Sequence, residues 1–222
     1  MSANRTPTDL PIYPFASVDE FEAFLDREHG TAPGFYLKLA KKGSGIASIS
    51  AAEAVEVALC FGWIDGQAKP FDDKFWLARY TPRRAKSIWS QKNVNTVARL
   101  LKSGRMKPAG LAAVEAAKAD GRWDRAYAGP ATITIPNDLA DALNATPGAA
   151  SVLDGMSKTE RYSLLWKLHT GSAKTRGKRI DALVKGLIDG KSPTAKIRKK
   201  QPKESSKSKP SPKVTSRLRR RK

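Results

Sequence analysis

The chain changes character abruptly after Gly190. Residues 191–222 are dominated by lysine, arginine, serine and proline; they contain no aromatic residue and only three sizeable aliphatic side chains. A segment of this composition cannot bury enough apolar surface to offset the entropy lost on ordering. We therefore predict a folded body that ends near Gly190 and is followed by a disordered basic tail. The first residues, 1–11, are similarly expected to be disordered.

Most of the net positive charge lies in this tail. Residues 191–222 hold nine lysines, five arginines and one glutamate, which account for thirteen of the twenty net positive charges. A polycation of this kind displaces counterions from nucleic acid and binds it without reading the base sequence. The tail is therefore a candidate nucleic-acid-binding element, and its densest cations are Arg198, Lys199, Lys200, Arg217, Arg219, Arg220 and Arg221. The same composition also suits a targeting address, nuclear if the host is eukaryotic, or a solubility aid.

Three segments in the first half of the folded body have the composition of strands. The first alternates apolar and polar residues, and the other two are rich in aromatic and aliphatic residues on either side of an Asp-Asp turn. Consecutive strands joined by a tight turn pair in antiparallel fashion. The sequence therefore predicts a small antiparallel sheet of about three strands, formed by residues 35–42, 63–71 and 74–82.

Helices are predicted on both sides of these strands. Ser17 and Ser50 are each followed three residues later by glutamate, which is the capping-box pattern at the start of a helix. These caps predict helices over about 17–29 and 50–62. Together with the sheet they place the chain in the α+β class.

The second half is predicted to be all-helical. Helical segments follow Ser90 and Pro108, and three more begin near Pro136, Ser157 and Ala173. Residues 130–136, PATITIP, are predicted to form a linker or a short edge strand. The expected organisation is therefore an α+β domain over 12–129, a linker over 130–136 and a helical domain over 137–190.

The most unusual local chemistry lies between Phe61 and Asn93. Three of the five tryptophans fall in this stretch, together with several arginines. Arginine offers a rigid fork of donors for phosphate or carboxylate, and tryptophan offers a stacking face. The same residue types also hold irregular loops against a sheet. A purely structural role for these residues is therefore the alternative interpretation. The candidate ligand-binding residues are Lys38, Trp63, Asp65, Arg79, Arg83, Arg84, Trp89 and Asn93.

Recognisable catalytic chemistry is not evident in the sequence. It lacks the nucleotide-binding and nucleophile motifs, and His29 and His169 lie in different halves at the ends of separate predicted helices. The lone cysteine, Cys60, follows an apolar run and is expected to be a core thiol. No catalytic residue, metal ligand or cofactor is therefore predicted. Neither a signal peptide nor a membrane span is expected, and we expect a cytoplasmic protein.

Several long segments of the chain are distinctive. In the first half these are LKLAKKGSG, EAVEVALCFGWIDGQ, TPRRAKSIWSQKNV and SGRMKPAGLAAVEAAKADGRWDRAY, and in the second half RYSLLW and AKTRGKRIDALVKGLIDG. Together they resemble the YdeI/OmpD-associated family of bacteriocin-protection proteins. The resemblance implies a role in tolerance to antimicrobial peptides, with no established reaction or cofactor.

Three functions are consistent with these patterns. The favoured hypothesis is a non-enzymatic tolerance protein that binds an anionic ligand or partner through the arginine and tryptophan residues. The second is a nonspecific nucleic-acid binder that acts through the tail. The third is an enzyme that acts on a small anionic substrate with Asp65 and the neighbouring arginines.

Overall fold

The computed structural model describes residues 6–190, and the expectations of disorder for residues 1–5 and 191–222 lie outside this range. The described residues form an α+β fold, as predicted, with a sheet in the first half and helices throughout the second. Residues 6–11 lead into the first strand. Among them, Asp9 accepts a hydrogen bond from the Tyr36 hydroxyl at 3.2 Å.

The sheet has four strands, so the prediction of three is wrong by one. They are β1 (Ile12–Pro14), β2 (Phe35–Ala40), β3 (Trp63–Pro70) and β4 (Phe75–Pro82), in the spatial order β1-β2-β4-β3. The three predicted strands are β2, β3 and β4, which pair in antiparallel fashion.

The additional strand, β1, lies parallel to β2 at the edge of the sheet, so the sheet is mixed and not purely antiparallel. With three residues, it is too short to display an alternating pattern. Its pairing depends on the position of β2, which it reaches only after an intervening helix. The sequence around β1 therefore carries no local signal for this strand.

Four helices accompany the sheet: α1 (Val18–Glu28), α2 (Ala51–Cys60), α3 (Gln91–Lys102) and α4 (Pro108–Ala119). The predicted capping box at Ser50 is present: its hydroxyl accepts from the Glu53 N–H, and its own N–H donates to the Glu53 carboxylate. Caps of this kind satisfy backbone donors that would otherwise lack partners, and they fix where each helix begins.

One apolar core joins these helices to one face of the sheet. Inward-facing residues of β2, among them Phe35 and Leu37, are fully buried beneath α1 and α2. Helices α2 and α4 approach so closely that a Cβ added at Gly110 would lie 2.2 Å from the carbonyl oxygen of Cys60. Only glycine permits this approach, because any side chain would collide with the α2 backbone.

The second half contains α5 (Asn137–Asn144), α6 (Ala149–Asp154), α7 (Lys158–Thr170) and α8 (Arg176–Ile188), which surround a separate aliphatic core. The three predicted helices correspond to α5, α7 and α8. Helix α6 was not predicted, because its six residues are too few to establish a helical period.

The segment predicted as a linker or edge strand, residues 130–136, forms no regular element. It is nevertheless packed, since Ile133 and Ile135 lie against the second core. Among residues 6–190, no helix is both long and apolar enough to cross a membrane.

Candidate functional site

Arg83 and Trp89 are the predicted site residues that the structure brings into direct contact. The guanidinium carbon of Arg83 lies 3.5 Å from the centre of the Trp89 ring, in a cation–π stack. Its Nη1 donates to the Ile88 carbonyl at 3.3 Å, while Nε and Nη2 are buried without a hydrogen-bond partner in the described part of the chain. Burial lowers the pKa of Arg83 to about 10, and the nearby Asp65 carboxylate opposes this shift. Arg83 therefore remains charged at neutral pH.

Trp89 also packs against Trp123. The two rings meet edge to face at 4.9 Å, and the Trp89 side chain is buried. A backbone bridge reinforces this packing: the Tyr127 N–H donates to the Trp89 carbonyl at 3.0 Å, and the Gln91 N–H donates to the Tyr127 carbonyl at 2.8 Å. The loop that carries Arg83 is thus tied to the segment that follows α4.

Two of the predicted ligand contacts belong to the core. Trp63 is buried in the first core, and its indole N–H donates to the carbonyl of His29, at the end of α1, at 3.2 Å. Asn93 is also buried, in the first turn of α3, where its backbone N–H donates to the Ser90 cap. Both therefore have structural roles.

The other predicted residues are dispersed. Lys38 and Arg79 lie on the face of the sheet that points away from the helices, and Asp65 is exposed on β3. Arg84 is exposed in a turn that the Ser87 hydroxyl closes by accepting its backbone N–H. The eight candidate residues consequently do not form one pocket.

A cleft with a volume of about 670 Å³ opens beside the Arg83–Trp89 loop. Three segments line it: residues 85–88 from that loop, residues 120–127 after α4, and residues 169–176 between α7 and α8. Cationic side chains predominate among the charged residues of its wall, which are Lys86, Arg122, Arg125, Arg176 and Asp120. Tyr127 and His169 also contribute to the wall.

Arg122 organises the near side of the cleft. Its Nε donates to both carboxylate oxygens of Asp120, at 2.7 and 2.8 Å, and its Nη1 donates to the Ser87 carbonyl at 2.9 Å. The hydrogen bonds from Arg122 hold the pKa of Asp120 below its ordinary value. Asp120 is therefore ionised at neutral pH, and Arg122 is committed to holding the wall together.

Arg176 organises the far side. It forms a two-point ion pair with Asp138, with Nε–Oδ2 and Nη2–Oδ1 distances of 2.5 and 2.8 Å. Its Nη1 also donates to the Leu168 carbonyl at 3.4 Å. Lys86 and Arg125 are more exposed than either of these arginines, and Arg125 has only the Asp120 carbonyl as a hydrogen-bond acceptor among the contacts observed. Lys86 and Arg125 are thus the cations best placed to meet an incoming anion.

A smaller hollow, of about 340 Å³, lies beside the glycine-rich loop before α2 and includes Lys41 and Lys42. A helix N-terminus next to lysines is a common arrangement for anion binding. Here the Glu53 carboxylate already occupies that position, because it accepts the Ser50 N–H at 2.9 Å. The hollow is therefore a weaker candidate than the cleft.

Metal and thiol chemistry receive no support within residues 6–190. Histidine, cysteine, aspartate and glutamate side chains form no group there that could hold a metal ion. Cys60 is buried as predicted, and burial raises the pKa of its thiol, which keeps the sulfur protonated. The predicted nucleic-acid-binding cations lie outside the described residues, namely Arg198, Lys199, Lys200, Arg217, Arg219, Arg220 and Arg221.

Residues 132–190 match the family described as bacteriocin-protection, YdeI or OmpD-associated. This part of the chain belongs to the YdeI/OmpD-associated family. Residues 13–113 match a second family, described as a domain of unknown function, DUF8412. Three of the four first-half segments that suggested the resemblance lie within this match, and the fourth, residues 103–127, begins within it and ends beyond it. Searches of curated proteins and of solved structures give no match.

The cleft lies where the two matched regions meet. Residues 85–88 belong to the DUF8412 match, residues 169–176 belong to the YdeI/OmpD-associated domain, and residues 120–127 lie between the two. Sequence analysis missed the cleft cations, because they come from three segments far apart in the chain: Lys86, Arg122 with Arg125, and Arg176.

Proposed function

We propose that this protein is a non-enzymatic member of the YdeI/OmpD-associated family that contributes to antimicrobial-peptide tolerance by binding an anionic ligand or partner in the cleft. The observation that carries the proposal is the convergence of Lys86, Arg122, Arg125 and Arg176 on one cavity, where Asp120 is the opposing carboxylate. Its volume of about 670 Å³ falls in the range of small-molecule sites.

The arrangement favours binding because two of the arginines in the wall of the cleft are already held in place without a ligand. Arg122 and Arg176 are fixed by carboxylate and carbonyl acceptors, so they supply positive potential without having to reorganise. Lys86 and Arg125 are exposed and can turn toward an anion. A ligand with two or more carboxylate or phosphate groups would engage both.

The ionised state of Asp120, the carboxylate in the cleft, favours binding over acid catalysis. An acid catalyst at neutral pH needs a raised pKa, whereas the contacts with Arg122 lower the pKa of Asp120. His169 is exposed, and its Nε2 lies 3.3 Å from the Thr134 carbonyl, a position that suits a structural contact between α7 and the segment before α5.

The test is anion binding by the full chain and by a Lys86→Gln/Arg125→Gln variant, measured calorimetrically with citrate and inorganic phosphate as probes. Each lost charge-assisted hydrogen bond should weaken binding on the order of tenfold. The matched control, Lys102→Gln/Lys158→Gln, removes two exposed lysines that do not line the cleft. Equal affinities in all three proteins would reject the cleft as the site.

The same variants test the biological role. A strain that depends on this protein should lose survival under antimicrobial-peptide challenge when it carries the cleft variant, and it should keep survival with the control. Unchanged survival with the cleft variant, at equal protein level, would show that tolerance does not depend on anion binding in the cleft.

The charge concentration in residues 191–222 favours a second candidate function, nonspecific binding to nucleic acid or another polyanion. Duplex DNA titrated across salt concentrations, with the full chain and with a chain ending at Gly190, tests it. We expect the full chain to bind with a steep salt dependence and the shortened chain to lose most of that affinity. Equal binding by both would exclude the tail as the cause.

A further inference from the structure

The face of the sheet that points away from the helices carries cations stacked on aromatic rings. The Lys38 ammonium lies 4.0 Å from the centre of the Phe75 ring and 4.9 Å from that of Phe71. The Lys69 ammonium lies 4.5 Å from the centre of the Tyr36 ring. We call these five residues, together with Leu77 and Arg79, the outer sheet face.

Strand register places these side chains together. Lys38 and Lys69 both lie opposite Leu77, one on each neighbouring strand, and Tyr36 lies opposite Arg79. Since β3 and β2 are not neighbours, the Lys69 side chain must cross β4 to reach the Tyr36 ring. Long lysine stems laid across apolar surface in this way bury it while the ammonium stays near solvent.

This cover explains an otherwise unexpected pattern of burial. Leu77 is fully buried and Tyr36 is nearly so, yet neither belongs to the two apolar cores beneath the helices. The lysines opposite Leu77 on the two neighbouring strands, Lys38 and Lys69, lie over the aromatic rings on this side of the sheet. Such a cover can be displaced by a ligand without unfolding the domain.

Among the observed contacts, only one of the three cations on the outer sheet face has a carboxylate partner. Asp9 pairs with Arg79 at 3.5 Å, whereas the observed contacts of the Lys38 and Lys69 ammonium groups are with aromatic rings. The Nε of Arg79 is buried without a hydrogen-bond partner among the described residues. The face thus combines ring faces with cations that lack strong anionic partners.

We propose that the outer sheet face binds a single-stranded nucleic acid. Proteins that bind single strands combine a basic surface that follows the phosphates with aromatic rings on which bases stack. Here a base would replace an ammonium group over the Phe75 or Tyr36 ring, and the displaced lysine would pair with a phosphate. A duplex cannot make this exchange, because its bases are already stacked on one another.

The proposal is independent of the cleft and of the tail. The tail of the full chain would attract single and double strands alike, since its binding is electrostatic. The informative quantity is therefore the ratio of the affinities for oligothymidine and for a duplex of equal length, measured with the full chain. We expect a preference of about tenfold for the single strand, from the stacking of one or two bases.

Two variants of the full chain probe the two components of the face separately. Lys38→Gln/Lys69→Gln removes the cations and keeps the side-chain length, and Phe75→Leu removes a ring and keeps the charges. In both variants the ratio of the affinities for oligothymidine and duplex should fall toward one. The affinity for duplex should fall only as far as the loss of two charges requires in the lysine variant, and it should not change in Phe75→Leu. The control Lys102→Gln/Lys158→Gln loses the same charge from helices and should keep the preference.

Photo-crosslinking of the unmodified chain to oligothymidine gives a test that does not depend on any variant folding. The crosslinked peptides should include Tyr36 or Phe75. A natural chain without single-strand preference, variants that keep the preference, or crosslinks confined to residues 191–222 would each overturn the proposal.

Discussion

The two apolar cores of this protein are built from different side chains. The first surrounds a cluster of rings: Phe35 stacks on Tyr80 with centroids 5.7 Å apart and meets Trp63 at 5.3 Å. The second contains leucine, isoleucine, valine and alanine, with no aromatic residue among its buried members. Rings from strands that are distant in sequence thus form the centre of the first core, whereas helices that follow one another in the chain supply the second.

The two proposed binding surfaces differ in which half of the protein they require. The outer sheet face depends only on the first half, because all of its residues lie on β2, β3, β4 or the turn between β3 and β4. The cleft requires both halves, since α7 and α8 provide one of its walls. A change that loosens the second half should therefore damage the cleft and leave the sheet face intact.

The strongest test of this comparison is the loss of one aromatic ring from the first core. Phe35→Ala should lower the free energy of unfolding by about 4 kcal/mol, because a fully buried phenylalanine leaves a large cavity. Leu165→Ala in the second core should cost about 3 kcal/mol by the same mechanism. Hydrogen exchange followed by mass spectrometry would assign each loss to its half.

We expect Phe35→Ala to accelerate exchange in residues 12–119 while residues 137–190 keep their protection, since the two cores share no buried residue. Leu165→Ala should have the opposite distribution. If either variant accelerated exchange equally throughout residues 12–190, the two halves would be one cooperative unit, and the comparison would fail.

A second test uses one glycine near the start of a helix in each half. Gly110→Ala would place a methyl group 2.2 Å from the Cys60 carbonyl oxygen, so α4 must move away from α2. We expect a loss of about 2 kcal/mol from overpacking. Gly177, inside α8, has open space around it. Gly177→Ala should therefore stabilise the second half by about 0.5 kcal/mol through helix propensity.

Urea unfolding curves of both glycine variants check this contrast. Opposite signs would show that close helix approach is a property of the first half. A destabilised Gly177→Ala variant, or an unaffected Gly110→Ala variant, would contradict the packing described for α2 and α4.

The elements that could be predicted from the sequence are those whose signal is local. Helices α1, α2 and α7 each begin at a serine with a glutamate three residues later, and the hairpin of β3 and β4 turns at Asp72. Strand β1 and helix α6 could not be predicted, because each is too short to establish a repeating pattern of apolar residues. Their formation depends on contacts with residues distant in sequence.

The candidate site shows the same division. The Arg83–Trp89 contact was predictable, because both residues lie in one short loop. The assignment of Trp63 to a pocket was not supported, since a tryptophan in a strand gives no indication of which face of the sheet it will occupy. The cleft was not predictable at all, because Lys86, Arg125 and Arg176 come from three segments that only the tertiary fold brings together.

The test with the smallest expected contrast between its variants concerns the ion pair that joins the start of α5 to the start of α8. Hydrogen bonds from Arg176 lower the pKa of Asp138, so the pair contributes stability only where the carboxylate is ionised. That contribution is complete above the ordinary aspartate pKa, near 4, and is lost as the pH falls through the lowered value. Both side chains are about a third exposed or more, at 31% and 44%, so solvent screening limits the contribution to about 1 kcal/mol.

Asp138→Asn should therefore destabilise residues 137–190 slightly at pH 7, and its difference from the natural chain should shrink steadily below about pH 4. Asp141→Asn, an exposed change on the same helix, is the matched control and should show neither effect. Urea unfolding at a series of pH values, with hydrogen exchange to localise the loss, makes the comparison. A deficit in Asp138→Asn that persisted unchanged to pH 2 would mean that the asparagine disturbs packing, and that the second half is held by its aliphatic core without help from this pair.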